Sequence, residues 1–464
     1  MIILLDHLPL LQVLIPLFTA PICVLIRNYV VLLFLVGVAT VLNIIITVAI
    51  IIKIQSVHTI SYAFGSWLPP IGIEYRIDHL SSLLLVIITT VAFFAFLHSI
   101  NCIKNKIPDK QISLFYALFL LSIAGFTGMV VTNDLFNMYV FLEIASLASY
   151  GLVALGDDKA LIAAIQYLIL GSIAALFILF GIGLLYMMTG TLNMTDLFQK
   201  LIHKIELVPV KYGIIFMVTG VLLKMAFFPM HLWLANIYAY APPSVGVLLS
   251  GITSKISLYM LLRIIFNIIG VDQFYSNFSA LISCLKMMSY MAIIFGGIFA
   301  ILSTNIRKTL AFSTISQLGY MVIVIVDIRN IEPLFLLMIA HSLSKMTLLM
   351  FQDKEEHSYK GFTTNICVAF NIASLIGIPI TLGFSAKWVL LSSLSQEGAW
   401  YSFIVIVIGS ILTALYGWKI VKSNITKSYT IVFATILNFI LALNSKSLII
   451  YSKLIASNLL KGYL

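Results

Sequence analysis

The chain has 464 residues, of which 61% are hydrophobic and only 9% are charged, whereas soluble domains carry about 25% charged residues. This composition excludes a soluble globular fold. The formal net charge of +10 does not indicate a nucleic-acid partner, because the basic residues are spread through short loops and no basic run is interleaved with base-stacking aromatic residues.

Apolar segments recur along the whole chain, and many exceed the ~20 residues that a helix needs to cross a ~30 Å hydrocarbon core. A membrane β-barrel would instead show ~10-residue segments of alternating polarity. We therefore predict an all-α polytopic membrane protein in which residues 1–464 form a single transmembrane domain. The fourteen predicted spans cover residues 8–26, 29–52, 78–100, 111–131, 134–155, 160–189, 211–239, 242–269, 279–303, 309–327, 333–352, 365–395, 400–421 and 428–444.

The connections between spans hold most of the remaining polar residues. Lys and Arg are more frequent after odd-numbered spans, for example at Arg27, Lys104 and Arg307. The positive-inside rule therefore places these connections in the cytoplasm and both termini outside. Segments 190–210 and 445–464 carry apolar residues at helical spacing, which predicts short amphipathic helices at the membrane interface.

Two of the predicted spans are interrupted. The seventh carries Pro229 in its middle, and the twelfth carries Gly377, Pro379 and Gly383. A proline there removes a backbone hydrogen bond and clashes with the preceding turn, so the helix kinks or unwinds. Two broken helices five spans apart suggest two five-helix repeats, over about 111–269 and 279–421, and discontinuous helices in corresponding halves indicate the ion site of a transporter.

Five ionisable residues lie well inside predicted spans, where each costs from ~2.5 to more than ~10 kcal/mol. They are Glu143, Lys224, Lys255, Lys345 and Lys387. Such residues mark a path for ions or protons by default. The structural alternative is that Glu143 is satisfied by hydroxyls such as Ser146 and Ser149, and that the lysines merely pin helices together.

Glu143 and Lys224 are the first two candidates. Glu143 lies nine residues after Asp134, roughly 13–14 Å into its helix and close to the bilayer midplane. Lys224 precedes Pro229 by five residues, so carbonyls freed at the break are available to hold water beside it. Carboxylate and ammonium groups at this depth change protonation state with the charge around them.

The other lysines continue along the chain. Lys255 is central in its span, and Lys345 follows His341 by one turn, so that a proton can pass between them through water. Lys387 follows the second break by eight residues. For His341 and His231, a hydrogen-bonded helix contact is the alternative to a role in proton transfer.

Two further basic residues are set aside at this stage. Arg263 lies closer to the end of its span and does not readily deprotonate, so we expect it to snorkel or to contact a headgroup. Lys286 is shallow enough to snorkel as well.

No cofactor or metal site is expected from the sequence. The four cysteines, Cys23, Cys102, Cys284 and Cys367, are isolated and form no CxxC pair, which argues against cluster ligation and a disulfide framework. HEXXH, Walker A and haem-attachment motifs are absent.

Five segments resemble, in order and spacing, the signatures of the antiporter-like membrane subunits of respiratory complex I, membrane-bound hydrogenases and Mrp-type multisubunit Na⁺/H⁺ antiporters. They are NDLFNMYVFLEIASLASYGLVALG, LLKMAFFPMHLWLANIYAYAPPSVGVLLSGITSK, NIRKTLAFSTISQLGY, HSLSKMTLLM and GIPITLGFSAKWVLL. The resemblance covers about the fourth to the twelfth span. It implies fourteen helices with two inverted five-helix repeats and broken seventh and twelfth helices.

The resemblance also implies roles for the buried charges. Glu143 and Lys224 match the coupled pair of the family, Lys255 and Lys345 match a hydrated mid-membrane relay, and Lys387 matches the charged residue of the broken twelfth helix. His231, His341, Pro229 and Pro379 are predicted to gate the path or to bind water. Ser344 departs from the family pattern, which usually has an apolar residue before the lysine of HSLSK.

The subfamily is less clearly marked. Glu143 in NDLFNMYVFLE and the segment GTLNMTDL resemble the D subunit of Mrp-type antiporters, whereas HLWLANIYAYAPPSVGVLLSG and TLGFSAKW also resemble complex I subunits. The first hypothesis is therefore a proton-translocating subunit of a multisubunit cation/proton antiporter that exchanges H⁺ for Na⁺ or K⁺. The alternative is a proton-pumping membrane subunit of NADH–quinone oxidoreductase (complex I) or of a related hydrogenase.

In either case we expect a multi-pass protein of a bacterial inner (plasma) membrane, with other membrane subunits as partners. A self-sufficient substrate transporter is the third hypothesis, which the resemblance disfavours. The chain is expected to be a transporter subunit rather than an enzyme, unless it belongs to a NADH:quinone translocase.

Overall fold

The computed structural model describes residues 6–104, 106–327, 330–350, 362–422 and 429–460. Almost all of this part of the chain is helical. In chain order the elements are α1 Leu8–Leu25, α2 Tyr29–Val57, β1 Ile60–Ala63, β2 Glu74–Ile77, α3 His79–Cys102, α4 Asp109–Val131, α5 Leu135–Ala154, α6 Asp158–Thr189, α7 Met194–Leu201, α8 Val208–Lys224, α9 Leu232–Tyr240, α10 Pro243–Leu262, a π-helix Arg263–Ile269, α11 Val271–Asn277, α12 Ser279–Leu302, α13 Ile306–Asp327, α14 Glu332–Leu349, α15 Phe362–Ile376, α16 Leu382–Gln396, α17 Trp400–Val421, α18 Tyr429–Leu443 and α19 Ser445–Leu460, with a 3₁₀ turn at Phe64–Ser66.

Each of the fourteen predicted spans has a helical counterpart. Ten described helices are individually long and apolar enough to cross a membrane, and the pair α18 and α19, bent by 75°, makes an eleventh candidate. The broken pairs α8/α9 and α15/α16 account for the seventh and twelfth predicted spans, and α14 for the eleventh. The prediction of a multi-pass integral membrane protein is confirmed.

The two predicted breaks are present. Helix α8 ends at Lys224 and α9 begins at Leu232, with Pro229 between them. Helix α15 ends at Ile376 and α16 begins at Leu382, with Pro379 between them. A proline cannot donate the helical hydrogen bond, and its ring clashes with the preceding turn. The breaks therefore end the first half of each span near the depth of the buried charges. The boundaries of the two repeats remain a prediction.

The all-α prediction misses a small hairpin. Strands β1 and β2 pair antiparallel, with Ile60 opposite Ile77 and Ala63 opposite Glu74. The Glu74 carboxylate accepts hydrogen bonds from Ser61 at 2.6 Å, from Asn133 at 2.8 Å and from Asn193 at 3.1 Å. The hairpin is thus tied to the start of α5 and to the cap of α7, partners that are distant in sequence.

The two predicted amphipathic segments form short helices. The first is α7 within residues 190–210, and the second is α19 within 445–464, of which residues 461–464 lie outside the described part. Apolar and charged residues at helical spacing account for both.

The most deeply buried helices lie at the centre of the molecule. In the most apolar stretch of α10 with its π-helical end, and in that of α13, 94% of the residues are buried. In the most apolar stretch of α17, only 33% are buried. Every residue of α14 is buried. The outer helices instead expose large apolar side chains such as Phe34, Ile162 and Ile411, as expected of a surface that faces lipid. Lys255 and Lys345 therefore lie on the helices that are farthest from lipid.

Candidate functional site

Lys224 joins α5 to α8. Its Nζ donates hydrogen bonds to Ser146 Oγ at 2.7 Å and to the Tyr150 hydroxyl at 3.2 Å. Lys224 is the last residue of α8, where the carbonyls of the helix end carry partial negative charge. The break therefore places the ammonium group where a cation is favoured.

Glu143 lies near Lys224 but does not contact it directly. The two groups are close enough to interact electrostatically, yet no ion pair joins them among the described residues. Glu143 Oε1 is buried without a hydrogen-bond partner in the same part of the chain. The structure thus brings the predicted pair into one site, while Ser146, which the structural alternative assigned to Glu143, binds Lys224 instead.

A small cavity lies beside Lys224. It offers about 30 Å³ to the centres of water molecules, and about 10–15 Å³ is enough to hold one. Its polar lining comes from Ser146, Ser149, Thr253 and Ser257 together with Lys224. Because Thr253 and Ser257 belong to α10, water held here would extend from Lys224 toward the helix that carries Lys255.

Lys255 is fully buried on α10. Its Nζ donates to the carbonyl of Ser250 at 2.6 Å. Helix α10 packs against α14, and Lys255 interacts electrostatically with both His341 and Lys345. The third and fourth charges of the predicted relay are therefore brought together across this helix pair.

Lys345 and His341 occupy one face of α14. Lys345 is fully buried, and its Nζ donates to the carbonyl of Leu310 at 2.6 Å and to Ser313 Oγ. His341 is only 2% exposed, and neither of its ring nitrogens has a partner in the described part of the chain. Buried polar atoms without a protein partner are commonly satisfied by water. His341 thus lies one turn from Lys345 on α14 and interacts electrostatically with Lys255 as well, while its role in proton transfer stays a prediction.

Lys387 is held by the second break. Its Nζ donates to the carbonyl of Ile376, the last residue of α15, at 3.0 Å and to Ser410 Oγ at 3.1 Å. The ammonium also lies 4.9 Å from the centre of the Tyr320 ring, a cation–π distance. The break frees the carbonyl that binds the lysine.

The other predicted gating residues shape the breaks. His231 is 3% exposed, and its Nδ1 lies 3.1 Å from the carbonyl of Pro229. Its ring stacks on Phe228 with centroids 5.1 Å apart. Pro229 and Pro379 are themselves exposed. Their contribution is thus to interrupt the helices, and His231 is joined to the break rather than to a lysine.

The four lysines share one property. Within the described part of the chain, every hydrogen bond that their ammonium groups make runs to a neutral oxygen, either a hydroxyl or a backbone carbonyl. No described carboxylate forms an ion pair with any of them. An ammonium that is not locked to a carboxylate can release its proton without leaving an unpaired buried anion. The arrangement suits groups that exchange protons.

Arg263 and Lys286 both have defined partners, and for Arg263 this corrects the prediction. Arg263 is 4% exposed and binds Asp78 through two bonds, NH1 to Oδ2 at 2.7 Å and NH2 to Oδ1 at 2.8 Å. It therefore does not snorkel to a headgroup. Lys286 forms an ion pair with Asp327 at 2.6 Å. Neither pair was predicted from the sequence, because the partners in each pair are distant in sequence. Asp78, at the polar start of α3, was nevertheless recognisable as a carboxylate that could pair with a basic residue.

The described residues contain no group of three or more His, Cys, Asp or Glu side chains that could hold a metal ion.

Residues 132–413 match the family model described as "NADH:quinone oxidoreductase/Mrp antiporter, TM". Among curated proteins, the chain is 37% identical over 382 residues to the NADH-quinone oxidoreductase subunit N of Desulforudis audaxviator, covering 79% of this chain and 75% of that protein. It is 30% identical over 372 residues to the protein of the same name from Coxiella burnetii, covering 75% of each.

Solved structures share the fold at lower identity. The chain matches a subunit of the archaeal membrane-bound sulfane sulfur reductase with a TM-score of 0.88 at 23% identity, and a subunit of the Mrp complex from Dietzia with 0.87 at 21%, each over 98% of both chains. A chain of respiratory complex I from Thermus thermophilus matches with a TM-score of 0.72 at 19% identity, over 94% of this chain and 98% of that chain.

The family match covers more than half of the chain and includes the segments that carry all five buried charges. The chain belongs to the NADH:quinone oxidoreductase/Mrp antiporter transmembrane family.

Proposed function

We propose that the chain is a proton-translocating membrane subunit of a NADH–quinone oxidoreductase, in which Glu143, Lys224, Lys255, Lys345 and Lys387 relay protons. The observation that carries the proposal is that, among the described residues, the four lysines inside the helical bundle bind neutral oxygens and no carboxylate. Burying four such charges is expensive, and a merely structural lysine would be expected to have a carboxylate partner.

The proposed relay follows the order of the charges along the chain. Glu143 and Lys224 form the input, since the two groups interact electrostatically and a water-sized cavity lies beside Lys224. Protons then pass to Lys255 and, by way of His341, to Lys345 across the interface of α10 and α14. Lys387 is the last station, and it contacts the break between α15 and α16.

The names of the curated relatives favour the second of the two main hypotheses, a membrane subunit of a NADH–quinone oxidoreductase. The first hypothesis is a cation/proton antiporter of the Mrp type, but the curated relatives cited above are named NADH-quinone oxidoreductase subunit N. The likeness to the Mrp complex is at 21% identity and supports the common fold alone. The proposed partners are accordingly the other subunits of a quinone-reducing complex in a bacterial inner membrane.

The function is tested on the whole complex, purified through this chain and reconstituted in proteoliposomes. In the Lys224→Ala variant, NADH oxidation should no longer acidify the vesicle lumen, whereas the assembled complex should be retained. Lys200→Ala is the matched control, because the Lys200 side chain is 42% exposed and forms an ion pair with Asp196 on the same helix, α7. Undiminished proton pumping per electron in Lys224→Ala would falsify the relay.

The purified complex also separates the two hypotheses. Flavin, iron–sulfur and quinone-binding subunits would support the oxidoreductase. Small hydrophobic subunits, together with Na⁺- or K⁺-dependent proton exchange and no NADH oxidation, would instead assign the chain to a cation/proton antiporter.

A further inference from the structure

A large cavity lies at the membrane face where α1 turns into α2 and α3 turns into α4. Its volume is about 960 Å³, and its walls come from the end of α1, the starts of α2 and α4, and the two short connections. Helices α2 and α3 cross the membrane in opposite directions between these connections, so both connections lie on one face. The positive-inside rule predicts that this face is cytoplasmic. We call this space the basic cavity, after the three basic residues that line it, Arg27, Lys104 and Lys110.

The positive charge of the basic cavity is not neutralised by the protein. Arg27, Lys104 and Lys110 are exposed, and no described carboxylate forms an ion pair with any of them. The Lys104 ammonium lies 5.6 Å from the centre of the Tyr29 ring. The one acidic residue in the lining, Asp109, is in the first turn of α4, where the helix dipole favours a negative charge. The cavity therefore attracts an anion.

The start of α4 adds backbone donors to the same space. Its cap residue, Pro108, provides no side-chain hydrogen bond to the first turn. The N–H groups of an uncapped first turn have no partner within the helix and bind anions readily. Helix α2 differs, because Asn28 accepts hydrogen bonds from the backbone N–H groups of Val30 and Val31. The anion is thus expected beside Lys110, at the start of α4.

The rest of the lining is apolar and extends toward the membrane interior. Leu32 on α2 and Ile112 and Leu114 on α4 belong to it. Leu114 lies five residues past the start of α4, about 7–8 Å deeper along the helix. Tyr29, whose hydroxyl lies 3.4 Å from the carbonyl of Ile100, separates the basic rim from this wall, as aromatic residues do at a membrane interface. A soluble anion would leave the apolar wall uncovered, whereas acyl chains would cover it.

We propose that the basic cavity binds one anionic phospholipid, whose phosphate contacts Arg27, Lys104 and Lys110 and whose acyl chains cover the apolar wall. Basic pockets between membrane helices bind anionic headgroups in this way. The lipid joins two connections that are distant in sequence, and so it holds the outer helices α1 and α2 against α3 and α4. The site does not depend on the proposed function, because it uses none of the buried charges.

The proposal is tested by photolabelling of the whole complex, purified through this chain and reconstituted in phosphatidylcholine vesicles. Two probe lipids with the same diazirine-bearing acyl chains are compared, phosphatidylglycerol and phosphatidylcholine, and the labelled peptides are identified by mass spectrometry. The anionic probe should label residues 24–32 and 109–114 at least about fivefold more than the neutral probe, as expected when at least one basic residue binds the headgroup. Equal labelling by the two probes would show ordinary contact with bilayer lipid and would overturn the proposal.

A pair of variants tests the basic residues themselves. Lys104→Gln combined with Lys110→Gln removes two charges at nearly constant side-chain size and should abolish the preference for the anionic probe. Lys159→Gln combined with Lys422→Gln is the matched control, because these exposed lysines follow odd-numbered spans as well and lie over aromatic rings outside the cavity. A preference that survives in the first pair, or is lost equally in both, would contradict the assignment.

Pyrophosphate separates a lipid from a soluble phosphate compound. Added in millimolar excess, it should leave the labelling by phosphatidylglycerol at the level seen with sodium chloride of equal ionic strength. Loss of labelling with pyrophosphate alone would mean that the cavity takes a soluble phosphate compound, and the assignment to a lipid would fail. If the double variant does not assemble, the comparison of the two probes on the unaltered complex still decides the proposal.

Discussion

The ammonium of Lys387 binds the carbonyl of Ile376 at 3.0 Å, across the break that separates α15 from α16. The donor lies in the second half of the span and the acceptor is the last residue of the first half. A continuous helix would use that carbonyl for its own hydrogen bond four residues on. The break and the buried lysine are therefore one structural unit.

Gly377 should be essential to this unit. It has φ +89, and a Cβ atom at this position would lie 2.9 Å from Cδ of Lys387. In Gly377→Ala we expect Lys387 to be displaced and proton pumping to fall, because an L-residue at this φ is strained. Gly183→Ala is the control, since nothing lies within 4 Å of the corresponding Cβ position. Proton pumping by the assembled complex is the measurement, and equal rates in the two variants would contradict the prediction.

Ser146 should matter through Lys224. The Ser146→Ala variant removes the acceptor at 2.7 Å, and a hydrogen bond to a charged group contributes about 1.5–3 kcal/mol. We expect proton pumping to drop about tenfold or more while the complex stays assembled. Thr219→Ala on the same helix as Lys224 serves as the control, because its hydroxyl donates to the carbonyl of Ile215 within that helix. A normal pumping rate in Ser146→Ala would remove this serine from the site.

His341 should be needed as a polar group that interacts with both Lys255 and Lys345. In His341→Leu we expect proton transfer between Lys255 and Lys345 to be blocked, because an apolar side chain can neither carry a proton nor hold water. His341→Gln should retain part of the rate. Thr347→Val on the same helix is the control, since its hydroxyl binds the Leu343 carbonyl within the helix. Proton pumping in proteoliposomes separates the three variants, and leucine performing as well as glutamine would refute the role.

The pair of Arg263 and Asp78 should act on stability instead. Removing one partner of a buried ion pair costs about 3–5 kcal/mol, because the other charge is left uncompensated. Arg263→Ala should therefore lower the temperature at which the complex unfolds, and the double variant with Asp78→Ala should recover part of the loss. Thermal unfolding of the purified complex is the measurement. A double variant that is no more stable than Arg263→Ala would show that the pair itself is not responsible.

Much of this architecture can be predicted from the sequence. Hydrophobic length locates the helices, and Pro229 and Pro379 locate the breaks, because both signals are local. The five buried charges are identified by their depth alone. What the sequence could not provide is the set of hydrogen-bond partners: Glu143 and Lys224 are close enough to interact electrostatically, as the resemblance implies, but the groups that bind the lysine are Ser146 and Tyr150. Such contacts depend on how separate helices pack, as do the bonds of Glu74 and Arg263.

Three of the buried lysines, Lys255, Lys345 and Lys387, share a feature that bears on how the chain can evolve. Each has a backbone carbonyl among its acceptors, supplied by Ser250, Leu310 and Ile376 respectively. A codon change cannot delete a main-chain oxygen; it only alters the side chain attached to the same backbone. Neighbouring positions can therefore accumulate substitutions over time while these ammonium groups keep a binding partner, provided that the backbone of each helix does not move.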